Sequence, residues 1–131
     1  FKNNKIIVST IDCTGHGVPG AFMTMIGYEI LNEIILNKGI VSPELILHEL
    51  HKTIRKALKQ AETDNKDGMD LVLLLIDKTT QKVAFAGAKN PLIYIQNNEL
   101  QIIKGDKLPI GGEQRETERL FTKHIIDIRQ A

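Results

Sequence analysis

The apolar residues of this chain change their period twice, and that order limits the fold more than any composition figure does. Residues 5–12 carry β-branched side chains (Ile6, Ile7, Val8, Thr10, Ile11) that suit a pleated surface, so they read as a buried strand ending at Asp12. From 19 to about 37 the apolar spacing becomes four: Phe22, Ile26, Ile30 and Ile34, widened by Met23, Leu31 and Ile35, as on one face of a helix that starts near Pro19. Ser42 as N-cap, Pro43 and Glu44 then open a second helix with the stripe Leu47, Leu50, Ile54, Leu58 and Ala61. The short connection at 38–41 favours an antiparallel helix pair. Beyond it lie short strands: 71–76, central and buried on both faces; 82–88 and 92–96, broken at Asn90-Pro91; and 100–103, after hairpin chemistry at Asn97-Asn98. A long loop at 105–118 precedes a final strand at 120–128. One strand, two helices and then a run of strands argue for an α+β fold, helices over antiparallel sheet, rather than alternating βαβ units.

Composition excludes several classes. At 131 residues, 42% apolar and 25% charged, the chain suits one globular domain that buries roughly two thirds of its unfolded surface. A formal charge of +1 leaves no excess of Lys and Arg to neutralise many phosphates, so nucleic acid is not the expected partner. Cys13 has no second cysteine to pair with, and the apolar run from Leu71 to Ile76 is far short of the ~20 residues a membrane helix needs. A cytoplasmic setting with no membrane contact in this segment is expected. The sequence begins with Phe1 rather than Met and reads as a piece of a longer chain, whose other parts could carry a membrane-anchored sensor.

Chemistry concentrates at Asp12-Cys-Thr-Gly-His-Gly-Val-Pro-Gly20, where three glycines and a proline free the backbone between strand and helix. Asp12 can ligate a hard cation such as Mg²⁺, Gly15 and Gly17 allow close approach to a phosphate, and a helix start favours anions. The same residues also suit a purely structural turn. His16 could pass a proton to a leaving group or could be an imidazole held by a backbone hydrogen bond. A covalent cysteine mechanism fails, because the phosphate-clamping arginine expected about six residues after Cys13 is Pro19. No Lys-Ser or Lys-Thr follows the glycines, so there is no nucleotide-binding Walker loop. Asp64, Asp67 and Asp70 suggest a calcium loop, but the required Glu falls on Leu75. Asp67-Gly68 then reads as a turn, with Asp70 beginning a strand and a candidate to lie near the metal. His48, His51 and His124 lack an acid to complete a ligand set and are expected at the surface or half-buried, whereas the faces around Phe22 and Leu50 are expected in the core.

The run from Asp12 through Met23 resembles the signature turn and helix of SpoIIE/RsbU-type PPM protein phosphatases. The resemblance continues through Asp67-Gly-Met-Asp70, Phe85-Ala-Gly-Ala-Lys-Asn-Pro91 and Lys104-Gly-Asp-Lys-Leu-Pro-Ile-Gly111, in the family's order over nearly the whole chain. It implies a layered sandwich of antiparallel sheets covered by the helix pair. It also implies hydrolysis of phosphoserine or phosphothreonine on a bacterial regulatory protein of the anti-sigma-antagonist type, with Mg²⁺ or Mn²⁺, two ions in the complete domain, activating a water. Asp12 would then be the bridging carboxylate and Cys13 a ligand through its backbone carbonyl. The Gly-His-Gly spacing differs from that of the eukaryotic relatives, so the resemblance assigns His16 no role. Similar proteins carry another acid in a Gly-Asp segment before residue 1, and Ser-Asp-Gly and Asp-Asp motifs after residue 131. The expectation is therefore a domain incomplete at both ends, following a sensor domain, with open sheet edges, weak metal binding and little or no activity by itself. The competing expectation is a non-catalytic regulatory module of the same fold that docks a partner.

Overall fold

The structure, a computed structural model, describes residues 2–129. Strand β1 (Lys5–Cys13) leads into helix α1 (Gly17–Asn32), which runs on through a wider π turn (Glu33–Asn37), and helix α2 (Pro43–Ala57) follows. Strands β2 (Gly68–Asp77), β3 (Lys82–Ala88), β4 (Leu92–Gln96), β5 (Glu99–Ile103), β6 (Ile110–Gly111) and β7 (His124–Asp127) complete the order. The main sheet is antiparallel, ordered β1-β2-β3-β7, with β6 paired to the start of β2; β4 and β5 form a separate two-stranded sheet. This is the α+β arrangement expected from the changes of period.

Each tight connection has a local cause. Asn97 and Asn98 both take positive φ, 53° and 63°, as a two-residue hairpin between right-twisted strands requires. At the β2–β3 turn the Asp77 carboxylate accepts the backbone N–H groups of Thr79 and Thr80, at 2.9 and 3.2 Å. The Thr80 bond, with that of Thr79, lowers the Asp77 pKa below its ordinary value.

The helices cover one face of the main sheet. Ile7, Ile11 and Cys13 alternate inward along β1 and join Leu71 and Leu73 of β2 against Met23, Ile34, Leu47 and Leu50. The opposite face behaves differently. Over β2, β3 and β7 it is partly covered by the β4–β5 hairpin, where Leu74, Val83, Tyr94 and Ile126 border an apolar gap. Over β1 it is open, with Ile6 38% and Val8 46% exposed. Accordingly 71–76 is sealed only at Leu71 and Leu73 on its helix side, not on both faces as expected: these two are fully buried, while Val72, Leu74, Leu75 and Ile76 are half-buried.

The expected core face of α1 forms except at its first position, since Ile26, Ile30 and Leu31 pack against the core and Met23, Ile34 and Ile35 lie in it. Phe22 is 60% exposed, while Met23 and Gly27 are buried and Ile26, Ile30 and Leu31 lie at the margin. α1 is apolar almost all round, so the spacing alone did not exclude Phe22 from the buried face. Gly27 lies on the buried face, where a Cβ would lie 2.8 Å from Met69 Cε; the missing side chain lets the helix approach β2. α2 keeps most of its expected stripe but ends at Ala57, leaving Leu58 half-buried and Ala61 exposed. The expected final strand shortens to His124–Asp127, because Leu120 points to solvent and Phe121 turns into the core.

Leu50→Ala should cost about 2–5 kcal/mol through loss of burial and the cavity left behind. Phe22→Ala should change stability by less than about 0.5 kcal/mol. Urea unfolding followed by circular dichroism measures both; equal losses would contradict the exposure of Phe22.

Candidate metal and phosphate site

The alternation that buries Ile7, Ile11 and Cys13 sends Ile6, Val8, Thr10 and Asp12 to the open face, so Asp12 stands exposed at the last position of that row. Register places Asp70 directly opposite it. Residues opposite in an antiparallel pair share a face with Cβ atoms roughly 4.5–5.5 Å apart, and like charges there repel. Among the described residues neither carboxylate takes part in an ion pair. Two acids are thus brought together at the mouth of the glycine turn, with no fixed cation between them.

Cys13 faces the other way. Its side chain is half-buried on the helix side, beside Ile11, Thr24 and Gly27 at a gap of about 130 Å³. The thiol and the Asp12 carboxylate therefore lie on opposite faces of the sheet, so that of the acceptors of Cys13 only its backbone carbonyl, not its sulfur, is a candidate to share a cation with Asp12.

Thr14 fixes the exit of the strand. Its N–H donates to the Gly68 carbonyl at 2.8 Å, its hydroxyl donates to the same oxygen at 2.9 Å, and the Gly68 N–H lies 3.1 Å from that hydroxyl. Gly68 is obligatory because a Cβ there would overlap the Ile110 carbonyl. Asp67-Gly68, expected as a turn, is instead the entry to β2, and Asp70 is its third residue. Gly15 and Gly17 take φ values of 96° and 63° and are exposed. His16 occupies the N-cap position of α1, is exposed, and makes no side-chain cap hydrogen bond; no acid lies in the first turn.

Sequence reasoning missed a buried polar clamp between α2 and residues 109–119. His51, expected at the surface or half-buried, is 1% exposed. The Gly111 N–H donates to His51 Nδ1 at 2.9 Å, so the ring proton sits on Nε2 and donates to Gln114 Oε1 at 2.7 Å. Burial pushes the His51 pKa below 6.5, with Arg119 and Arg55 acting in the same sense and the Gln114 bond opposing. Gln60, also buried, donates to the Asp67 carbonyl at 2.6 Å and accepts the Gly112 N–H at 2.9 Å, while Arg55 donates to the Gly112 carbonyl. Arg119, 4% exposed, donates to the carbonyls of Pro109 and Glu113 and pairs with Glu116, whose carboxyl it holds at about 2. The signal was present in the spacing: position 51 lies four after Leu47 and three before Ile54, on the buried face.

The remaining histidines hold structure. His48 donates from Nδ1 to the Arg119 carbonyl at 2.9 Å, and His124 stacks on Phe85 with centroids 5.6 Å apart. Among the described residues no three His, Cys, Asp or Glu side chains are grouped to hold a metal ion. The carboxylate pair and one carbonyl suit a hard cation by donor type, but supply only part of a protein ligand shell.

Helices over antiparallel sheets, with an acid and a glycine turn at one sheet end, define a PP2C-like domain. One solved structure, the SiaA-PP2C domain of Pseudomonas aeruginosa, superposes with a TM-score of 0.73 at 29% identity, over 96% of this chain and 51% of that one. A structure of RsbU and RsbW domains from Mycobacterium tuberculosis shares the fold with a TM-score of 0.67 at 15% identity, over 97% of this chain and 33% of that one. The chain therefore spans about half the length, or less, of these structures. Residues 2–124 match the family described as Stage II sporulation protein E (SpoIIE), and the chain belongs to that family. No curated protein is a significant match.

If Asp12 and Asp70 repel, Asp70→Asn should stabilise the metal-free protein by about 0.2–1 kcal/mol. Denaturant unfolding in excess chelator checks this; a loss of stability would mean that the Asp70 carboxylate is already compensated.

Proposed function

We propose that these residues form part of a metal-dependent protein serine/threonine phosphatase, in which the Asp12 carboxylate and the Cys13 backbone carbonyl would be among the ligands that hold Mg²⁺ or Mn²⁺. The observation that carries the reading is the Asp12–Asp70 juxtaposition: two acids at the sheet mouth that pair with no cation among the described residues, next to a turn whose backbone can approach a phosphate. Membership of the SpoIIE family and the likeness to a PP2C domain support the same chemistry. When bound, the metal supplies an activated water and offsets the charge that develops on the transferring phosphoryl group. Asp12 binds and orients, Asp70 adds negative charge on the same face, and the N–H groups around Gly15 and Gly17 offer hydrogen bonds to phosphate oxygens at the start of α1. His16, exposed beside them, is placed in sequence to protonate a leaving serine or threonine oxygen. The substrate class is a phosphorylated bacterial regulatory protein of the anti-sigma-antagonist type, acted on in the cytoplasm under the control of a sensor domain upstream in the parent chain.

One observation favours a second reading. With no grouping of three ligating side chains among the described residues, the same fold could serve as a non-catalytic module that docks a partner. By the first reading these 131 residues alone are inactive or nearly so, because a divalent ion held by so few protein ligands binds weakly.

The test uses the full-length parent protein. It should hydrolyse a phosphoserine protein with Mn²⁺, and Asp12→Ala should lower kcat/KM by at least about a hundredfold, equivalent to roughly 2.7 kcal/mol or more of lost transition-state stabilisation. Retained activity in that variant would overturn the assignment, and the lack of any saturable Mn²⁺ site by calorimetry would favour the docking module.

A further inference from the structure

β6 is two residues long, and beside its pairing with β2 it is held by side chains of α2 and of the turn that follows α2. Two buried side chains of the clamp grip consecutive backbone amides: His51 accepts the Gly111 N–H and Gln60 the Gly112 N–H. Gly111 is paired with Gly68, and Gly68 exchanges three hydrogen bonds with Thr14, two residues beyond Asp12. A continuous line of hydrogen bonds and strand pairing thus runs from one imidazole to the exit of β1.

The two clamps differ chemically. Gln60 has no proton to gain at ordinary pH. An imidazole that gains one donates from both nitrogens and has no lone pair left for Gly111. The Gly111 N–H would then face another donor in a buried site, and a buried unpaired donor is costly.

We propose that His51 is an acid-sensitive latch: neutral, it holds β6 to α2 and keeps the Asp12 turn in register through Gly68; protonated, it releases Gly111 and lets the 109–119 segment detach locally. The latch belongs to the fold and does not depend on what Asp12 binds.

The charged surroundings set its working range. α2 itself contributes His48, Lys52 and Arg55, and the 112–119 segment brings Gln114, Glu116, Glu118 and Arg119 to the same region. From α1, the π turn, β2, β3 and β6 the residues packed toward α2 are apolar, among them Met23, Ile34, Leu71, Ala86 and Ile110. Glu116 would favour the proton but is already paired with Arg119. Burial and the two arginines keep the native pKa below 6.5, the value expected once the ring is exposed. The opened state therefore binds the proton more readily. Closure is fully favoured above pH 6.5 and weakens as pH falls from 6.5 toward the native value.

Nitrogen-15 NMR of the whole 131-residue chain between pH 7.5 and 5 tests this, reading the His51 ring nitrogens and amide exchange together. At pH 7.5 Nδ1 should carry no proton. Below 6.5 the protection of the Gly111 amide, corrected for the intrinsic exchange rate, should fall by up to about tenfold per pH unit, with Thr14 following and the β3–β7 ladder unchanged. His51→Gln should abolish that response, whereas His48→Gln should leave it. Should His51→Gln fail to fold, the wild-type titration still decides. Flat Gly111 protection while the ring stays neutral-like to pH 5 or titrates without effect would overturn the latch, as would loss of protection in step with β3–β7, which would mark global unfolding instead.

Discussion

Three pieces of chain meet at Gly68, and the site exists because nothing larger than hydrogen stands there. A methyl group would strike the Ile110 carbonyl, push β6 off β2 and disturb the Gly68 carbonyl and N–H that bond Thr14. With Gly68 in place, β1 and β2 stay in register up to Asp12 and Asp70, and the chain can leave β1 through a turn that needs left-handed backbone at Gly15 and Gly17. The position of the acids is thus a consequence of backbone contact between strands, not of any contact made by the acids themselves.

α2 has two functions on one buried face. Its aliphatic residues seal the core against β2 and β3, and its polar residues bind backbone amides and carbonyls of the segment around β6. Arg119 completes the arrangement from the other side by capping the carbonyls of Pro109 and Glu113. Such a network is worth its desolvation cost only when every member is satisfied, and among the described residues no buried side-chain nitrogen or oxygen lacks a partner. That completeness makes the segment well ordered, and it also makes it sensitive to any change in the count of donors.

The two faces of the main sheet have different fates. The helix side is closed and carries the stability of the domain. The other side is partly covered by the β4–β5 hairpin and ends, over β1, in a row that passes from Ile6 and Val8 to Asp12. Charge accumulates at the end of that row without a compensating side chain among the described residues, a cost accepted in many proteins where a ligand supplies the missing charge. The proposed phosphatase chemistry and the position of the acids are therefore parts of the same electrostatic account.

Much of this was legible in the sequence. The change from alternating to fourfold spacing and back fixed the α+β order, the β-branched run fixed β1 ending by Asp12, Asn97-Asn98 fixed a hairpin, and the glycines of the turn marked a backbone of special shape, because each is a local preference that neighbours in the chain express by themselves. The buried face of α1 was legible except at Phe22; the close approach of Gly27 to Met69 was not, since that contact is made across the fold. Nor was the opposition of Asp12 to Asp70, which depends on strand register between segments 58 positions apart. The burial of His51 was half legible: its spacing put it on the stripe, but only the arrival of the Gly111 amide from sixty residues away decided that an imidazole could be buried there neutral. Local propensity writes elements; where two distant backbones touch, and with what donor facing what acceptor, is settled only when they are brought together.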